Sequence, residues 1–217
     1  MRGGELLHEE LLGLSGDGSP RHSTALLAGV ERAAAAAGGW GGVGRIAAGR
    51  GPGSFVGIRI GLATARGLAA STGLPATGVC TLDALGRALV ESSTSEAPNL
   101  ALLDARRGEI FAALYAGSGE RLWAPFVAPP EVLGERLAEL PAPPRAAGSG
   151  AVRFRHELAS RGVEIPDDED PVHRVAARHV CALAAAASAL EGGLDPIYLR
   201  VPDAQRWRER DDERTGE

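Results

Sequence analysis

The chain has 217 residues, enough for one large domain or two small ones, and its 44% apolar content supports a real core. A formal net charge of −5 gives no overall electrostatic footprint for nucleic acid. Every strong base is arginine, which excludes any mechanism that needs a lysine base, Schiff base or phosphate-binding lysine.

Residues 5–14 read as a β segment of mixed alternation, followed by a Gly/Ser/Pro loop. Residues 22–37 predict a helix, because Leu26, Leu27, Val30, Ala33, Ala34 and Ala37 fall on one stripe. Gly38-Gly39 ends it. Residues 45–48 form a short apolar strand that runs into Gly51-Pro52-Gly53. Proline fixes its own φ there and the glycines permit positive φ. Ser54 suits an N-cap, its hydroxyl taking an orphan amide of the helix that follows. Such a turn can aim backbone N–H groups at an anion, so Gly51, Gly53 and Ser54 form a candidate anion- or nucleotide-facing turn.

The helix after Ser54 is unusual. Gly57, Gly61 and Gly67 lie inside it, each costing about 1 kcal/mol relative to alanine. Gly57, Gly61, Ala65 and Ala69 recur at every fourth position, a spacing that lets another backbone approach closely. That face either packs on the chain's own sheet or docks a partner helix. Arg59 and Arg66 argue against a membrane span.

Gly73-Leu74-Pro75 stops this helix; residues 76–80 are a strand and 83–90 a helix with Asp83 near its start. The polar segment 91–98 reads as a boundary between lobes. Beyond it, 99–104 and 109–115 form a hairpin turned at Arg106-Arg107-Gly108, with 121–127 as a third strand. Helices are predicted at 129–140, 152–161 and 173–190. The lobes are therefore expected at 1–91 and 92–204, with 205–217 a charged tail. Strands followed by helices in both halves indicate an α/β fold.

Chemistry-bearing residues are sparse. Cys80 and Cys181 lie far apart and read as free thiols of a reducing compartment. His8, His22, His156, His173 and His179 form no metal-binding spacing, so no metal site is expected. Asp104, Arg106, Arg107 and Glu109 crowd one hairpin, where charges usually pair with each other. Ser54 has no histidine and acid in a recognisable order, and no G-x-S-x-G is present. No catalytic residue is assigned. No signal peptide or membrane span is read, so a cytoplasmic location is expected.

The run Gly51-Pro52-Gly53-Ser54-Phe55-Val56-Gly57-Ile58-Arg59-Ile60-Gly61 resembles the GPGSFTGLRIG signature of the bacterial TsaB (YeaZ) family, with Val56 where threonine is usual. Gly78-Val79-Cys80-Thr81-Leu82-Asp83-Ala84-Leu85 is similar to that family's GVSSLEAL, Asp104-Ala105-Arg106-Arg107-Gly108-Glu109 to its DARRGE, and Pro196-Ile197-Tyr198-Leu199-Arg200 to its PxYLR ending. The resemblance implies an actin-like ATPase, ribonuclease-H-like fold of two lobes. It implies a non-catalytic partner subunit in the N6-threonylcarbamoyladenosine modification of transfer RNA, at adenosine 37. The expected partners are a threonylcarbamoyl transferase of the TsaD family and an ATPase of the TsaE family, with ATP or ADP held at the partner interface and a homodimer as a rival assembly. Direct tight binding of nucleic acid is not expected. The docking surface would be the two helices of the first lobe, with His22, Leu26, Val30, Gly57, Gly61, Ala65 and Ala69. A self-sufficient actin-like ATPase or kinase, or a glycoprotease-like hydrolase, is the alternative.

The family's opening strand, which ends in an Asp-Thr-Ser-Thr-like turn, has no counterpart before residue 5. The resemblance therefore implies that the first lobe lacks its first strand and that the natural polypeptide starts upstream of Met1. A degenerate homologue is the other reading.

Overall fold

The computed structural model describes residues 1–12, 22–187 and 193–200, the side chains of 22–24 excepted. Two separate sheets organise them. In the first, β1 (Ile46–Gly49) runs parallel to β2 (Ala76–Val79), with Ile46 opposite Ala76 and Gly49 opposite Val79. Parallel strands need a crossover, and α2 (Phe55–Thr72) supplies it. α2 ends where Gly73 takes the left-handed conformation at φ 71°. α1 (His22–Ala36) packs beside α2.

The second sheet has the order β5-β4-β3-β6. Here β3 (Asn99–Asp104), β4 (Ile110–Tyr115) and β5 (Arg121–Ala128) form an antiparallel meander, and β6 (Arg145–Ala147) joins β3 in parallel. Period-two alternation divides its side chains between two cores. Leu100, Leu102, Ile110, Ala112 and Leu114 face α4 (Pro130–Ala138), α5 (Ser149–Arg153) and α6 (Arg155–Ala159). Ala101, Phe111, Ala113 and Tyr115 face α3 (Thr81–Glu91), which presents the fully buried Leu82, Leu85 and Leu89. α3 thus follows the first sheet in sequence but packs on the second. α7 (Ala177–Ala186) lies on β2 and α3 through Val180 and Ala184. Among the described residues, no helix is long and apolar enough to cross a membrane.

Residues 5–12 are not the strand that their pattern predicts; among the described residues, one isolated bridge, Arg2 to Glu5, is their only ladder-like pairing. A strand needs a neighbour for its backbone groups, and among the described residues only β2 pairs with β1. Residues 13 and 14 lie outside the described residues, as does the tail 205–217. The helix expected over 152–161 is two short ones, because Phe154 leaves the helical region at φ −108°, ψ 28° and puts its ring into the second core. The last helix starts at Ala177, not at residue 173. The chain before it is tied down by His173, whose Nδ1 accepts the Gly148 N–H at 3.1 Å and whose Nε2 lies 3.2 Å from the Pro166 carbonyl. Residues 188–190, the predicted end of that helix, lie outside the described residues.

Charge, not packing, fixes residues 1–12. Arg32 binds both oxygens of Glu10 at 2.9–3.1 Å, and the Arg178 amide and Nη1 bind Glu9 at 2.8 and 2.6 Å. Burial would raise the Glu9 carboxyl, but the Arg178 bonds outweigh it and hold the group below its ordinary value. His179 is also held below its ordinary value, chiefly by burial and against the pull of Glu91. Both shifts have one sign: the unfolded chain binds more protons, so stability is lost on acidification. The melting temperature should fall as pH drops below about 6.5 and fall again below about 4.3. In Glu9→Gln the second fall should shrink. A flat profile between those values would refute the His179 assignment, and a lower fall left unchanged in Glu9→Gln would refute that of Glu9.

Candidate functional site

β1 runs directly into the glycine-rich turn, which is stitched in place on three sides. The Arg50 amide donates to the Val79 carbonyl (2.9 Å), the Thr81 amide to Gly51 (2.8 Å) and the Ile197 amide to Arg50 (2.7 Å). Gly51 sits at φ +98°, and a Cβ there would lie 2.8 Å from Ile58 Cδ1 and 2.9 Å from the Ile197 carbonyl. Only glycine fits. Ser54 caps α2 as expected, its Oγ accepting the Gly57 amide at 3.3 Å. Pro52, Gly53 and Ser54 then form one wall of a cleft of about 1000 Å³. The opposite wall is the β3–β4 hairpin, and residues 197–200 close one side.

At the hairpin, Arg106, Arg107 and Gly108 run consecutively through the left-handed region at φ 62°, 55° and 78°. Asp104 holds this conformation. Its Oδ1 accepts the Arg106 amide at 2.8 Å and its Oδ2 takes Arg153 Nη1 at 2.9 Å, with the side chain only 11% exposed. Glu109 pairs with Arg200. Asp104 and Glu109, the two carboxylates that crowd this hairpin, are therefore both paired with arginines. Among the described residues, no histidine lines the cleft and no cluster of three metal-ligating side chains exists.

The small-residue face of α2 divides. Ile58, Leu62 and Ala65 form the inward face, and Ala65 is only 4% exposed. Ala65 therefore packs within the chain and offers no surface. Ala69 and Gly57 are half-buried. Gly61 and Gly67 are open: a Cβ built at either meets nothing within 4 Å. Neither glycine is required by packing among the described residues. On α1, Leu26 and Val30 are half-buried while Leu27 is 54% exposed, so the predicted stripe is only partly covered. The His22 side chain lies outside the described residues.

One group escaped sequence reasoning. Phe55 and Tyr198 meet at the cleft with ring centroids 5.4 Å apart and are 40% and 41% exposed. Arg59 lies over the Phe55 ring at 4.0 Å, and its Nε donates to the Tyr198 hydroxyl at 3.3 Å. The signal was available, since both rings stand inside the two motifs that carry the resemblance.

The family described as "TsaD: tRNA N6-adenosine threonylcarbamoyltransferase" matches residues 17–159. The Escherichia coli "tRNA threonylcarbamoyladenosine biosynthesis protein TsaB" is 38% identical over 99 residues, covering 44% of this chain and 42% of that protein. A Pseudomonas aeruginosa structure, described as an uncharacterized protein with similarity to peptidase YEAZ, superposes with a TM-score of 0.67 at 30% identity, over 84% of this chain and 87% of that one. The chain belongs to the TsaB (YeaZ) family. Its fold is accordingly the actin-like, ribonuclease-H-like α/β fold. An uncharacterized Mycobacterium bovis relative is 33% identical over 160 residues, 74% of this chain and 65% of that protein. The chain thus spans less than two thirds of the curated TsaB and mycobacterial relatives it matches here.

Proposed function

We propose that this chain is a non-catalytic partner subunit in formation of N6-threonylcarbamoyladenosine on transfer RNA, docking to a TsaD-type transferase through α1 and α2. One observation carries the reading: Gly61 and Gly67 break helix preference at about 1 kcal/mol each although nothing among the described residues needs the space. A second helix lying across Gly61, beside the exposed Leu27, would use it. The name of the Escherichia coli relative supports the pathway. The commitment of Asp104 and Glu109 to arginines supports a supporting role rather than a hydrolytic one. In this reading the protein is cytoplasmic, a TsaE-type ATPase completes the assembly, and ATP or ADP sits at the partner interface.

Gly61→Leu tests the reading. A leucine there would separate the two helix axes, while the free chain has room for it. Co-purification with the transferase should fall at least tenfold, with circular dichroism and melting temperature near wild type. Undiminished co-purification, or an unfolded variant, would favour an internal role for the position. Native mass measurement with and without the transferase separates hetero-docking from a homodimer.

A further inference from the structure

α1, one of the two helices proposed to dock the transferase, has little apolar packing to hold it. Of its described side chains only Ala34 is buried. A helix of 15 residues is marginal in water without tertiary support. An ionic attachment supplements the packing. Arg32 donates to both oxygens of Glu10, Nη2 at 2.9 and 3.0 Å and Nε at 3.1 Å. Gly29, one turn earlier, makes room for that carboxylate: a Cβ there would lie 2.4 Å from Glu10 Oε1 and 3.6 Å from Leu12 Cδ2. The neighbouring acid is anchored elsewhere. Glu9 accepts the Arg178 amide at 2.8 Å in the first turn of α7, whose own N-cap residue, Ala176, offers no side-chain bond. Arg178 Nη1 adds a bond at 2.6 Å, and the Glu9 side chain is only 19% exposed. Glu9 thus caps a helix 169 residues away, where a carboxylate also suits the helix dipole. Two adjacent acids tie the start of α7 to the middle of α1.

We propose that residues 9–12 are a positioning strap for docking: anchored on α7 through Glu9, they hold α1, through Glu10, Arg32 and the space at Gly29, in the placement that the transferase meets. The proposal rests on the docking reading above and names the device that regulates it. A helix already held in its bound placement loses less freedom when a partner arrives, so the strap contributes affinity without touching the partner. Glu10 and Arg32 are positioning residues in this account. Their pair is partly exposed, at 29% and 52%, so its effect is modest and weakens with salt.

Charge reversal in the full chain tests the strap, read both by hydrogen exchange of the α1 amides without partner and by affinity for the transferase. Glu10→Arg and Arg32→Glu each set like charges together. Each should speed α1 exchange and weaken affinity about fivefold, while Glu10→Arg/Arg32→Glu returns both to within about twofold. A direct contact of Arg32 with the transferase would give no such rescue. Gly29→Ala separates the strap from local helix preference. Alanine is the better helix former, so a local role predicts slower exchange with affinity unchanged. The strap predicts affinity about threefold weaker, because the Glu10 carboxylate must leave Arg32. Affinity equal in wild type and all variants overturns the strap and leaves docking intact. Unchanged α1 exchange in the single reversals, or a double reversal that does not recover, also overturns it. No capture by the wild type overturns docking, and the strap with it.

Discussion

Gly148→Ala should lower the melting temperature by about 8–16 °C, the equivalent of roughly 4 kcal/mol in a chain of this size. Gly148 follows β6 at φ +109°, a conformation that L side chains rarely adopt. A Cβ there would lie 2.0 Å from the Leu102 carbonyl oxygen and 2.5 Å from Leu85 Cδ2. Neither neighbour can yield, since Leu102 belongs to the central strand β3 and Leu85 is fully buried. The same residue donates its amide to His173 at 3.1 Å, so displacement would also free a buried histidine. Thermal unfolding of the purified variant measures this. A drop of less than about 3 °C would mean that β3 and the turn can part cheaply.

Asp104→Ala is expected to cost about 3 kcal/mol, or roughly 6–12 °C, through two lost hydrogen bonds involving a charged group. It removes the acceptor that holds Arg106 in the left-handed region and leaves Arg153 without its carboxylate. Since no chemical step is assigned to Asp104, modification of transfer RNA in a reconstituted assembly should decline only as far as folding and docking do. The same holds for Ser54→Ala, which loses only the cap to Gly57. The decisive measurement is modification per docked complex, by mass spectrometry of digested transfer RNA. An Asp104→Ala variant that docked normally but had lost all activity would bring the self-sufficient enzyme to the front.

Much of the fold is legible because its signals are local. The β3–β4 hairpin reads correctly to within a residue, since Arg106-Arg107-Gly108 interrupts two apolar runs of strand length. The ends of α2 are equally plain: Ser54 caps one and Gly73 closes the other. The failures occur where a distant partner decides. Residues 5–12 alternate like a strand but, among the described residues, make only the isolated Arg2–Glu5 bridge. The helix expected over 152–161 breaks because the Phe154 ring is worth more in the core than one more helical turn. Ala65 shares a sequence spacing with Gly61, yet one turns inward and the other faces open space. A four-residue repeat drifts around a helix of 3.6 residues per turn, so only the packing says which side is which.

The sequence by itself determined the family, through ordered motifs, and the elements, through periodicity and turn chemistry. These 217 residues also contain no lysine. Tertiary structure alone decided that Asp104 and Glu109 are bound to arginines, that Gly61 is open among the described residues, and that Phe55 meets Tyr198 at the cleft. The physical reason is range. Capping, turns and periodicity act over a few residues and are written in order along the chain. Burial, the arginine–carboxylate pairs and the meeting of Phe55 with Tyr198 join residues up to 143 positions apart, and exist only once the two sheets have brought them together.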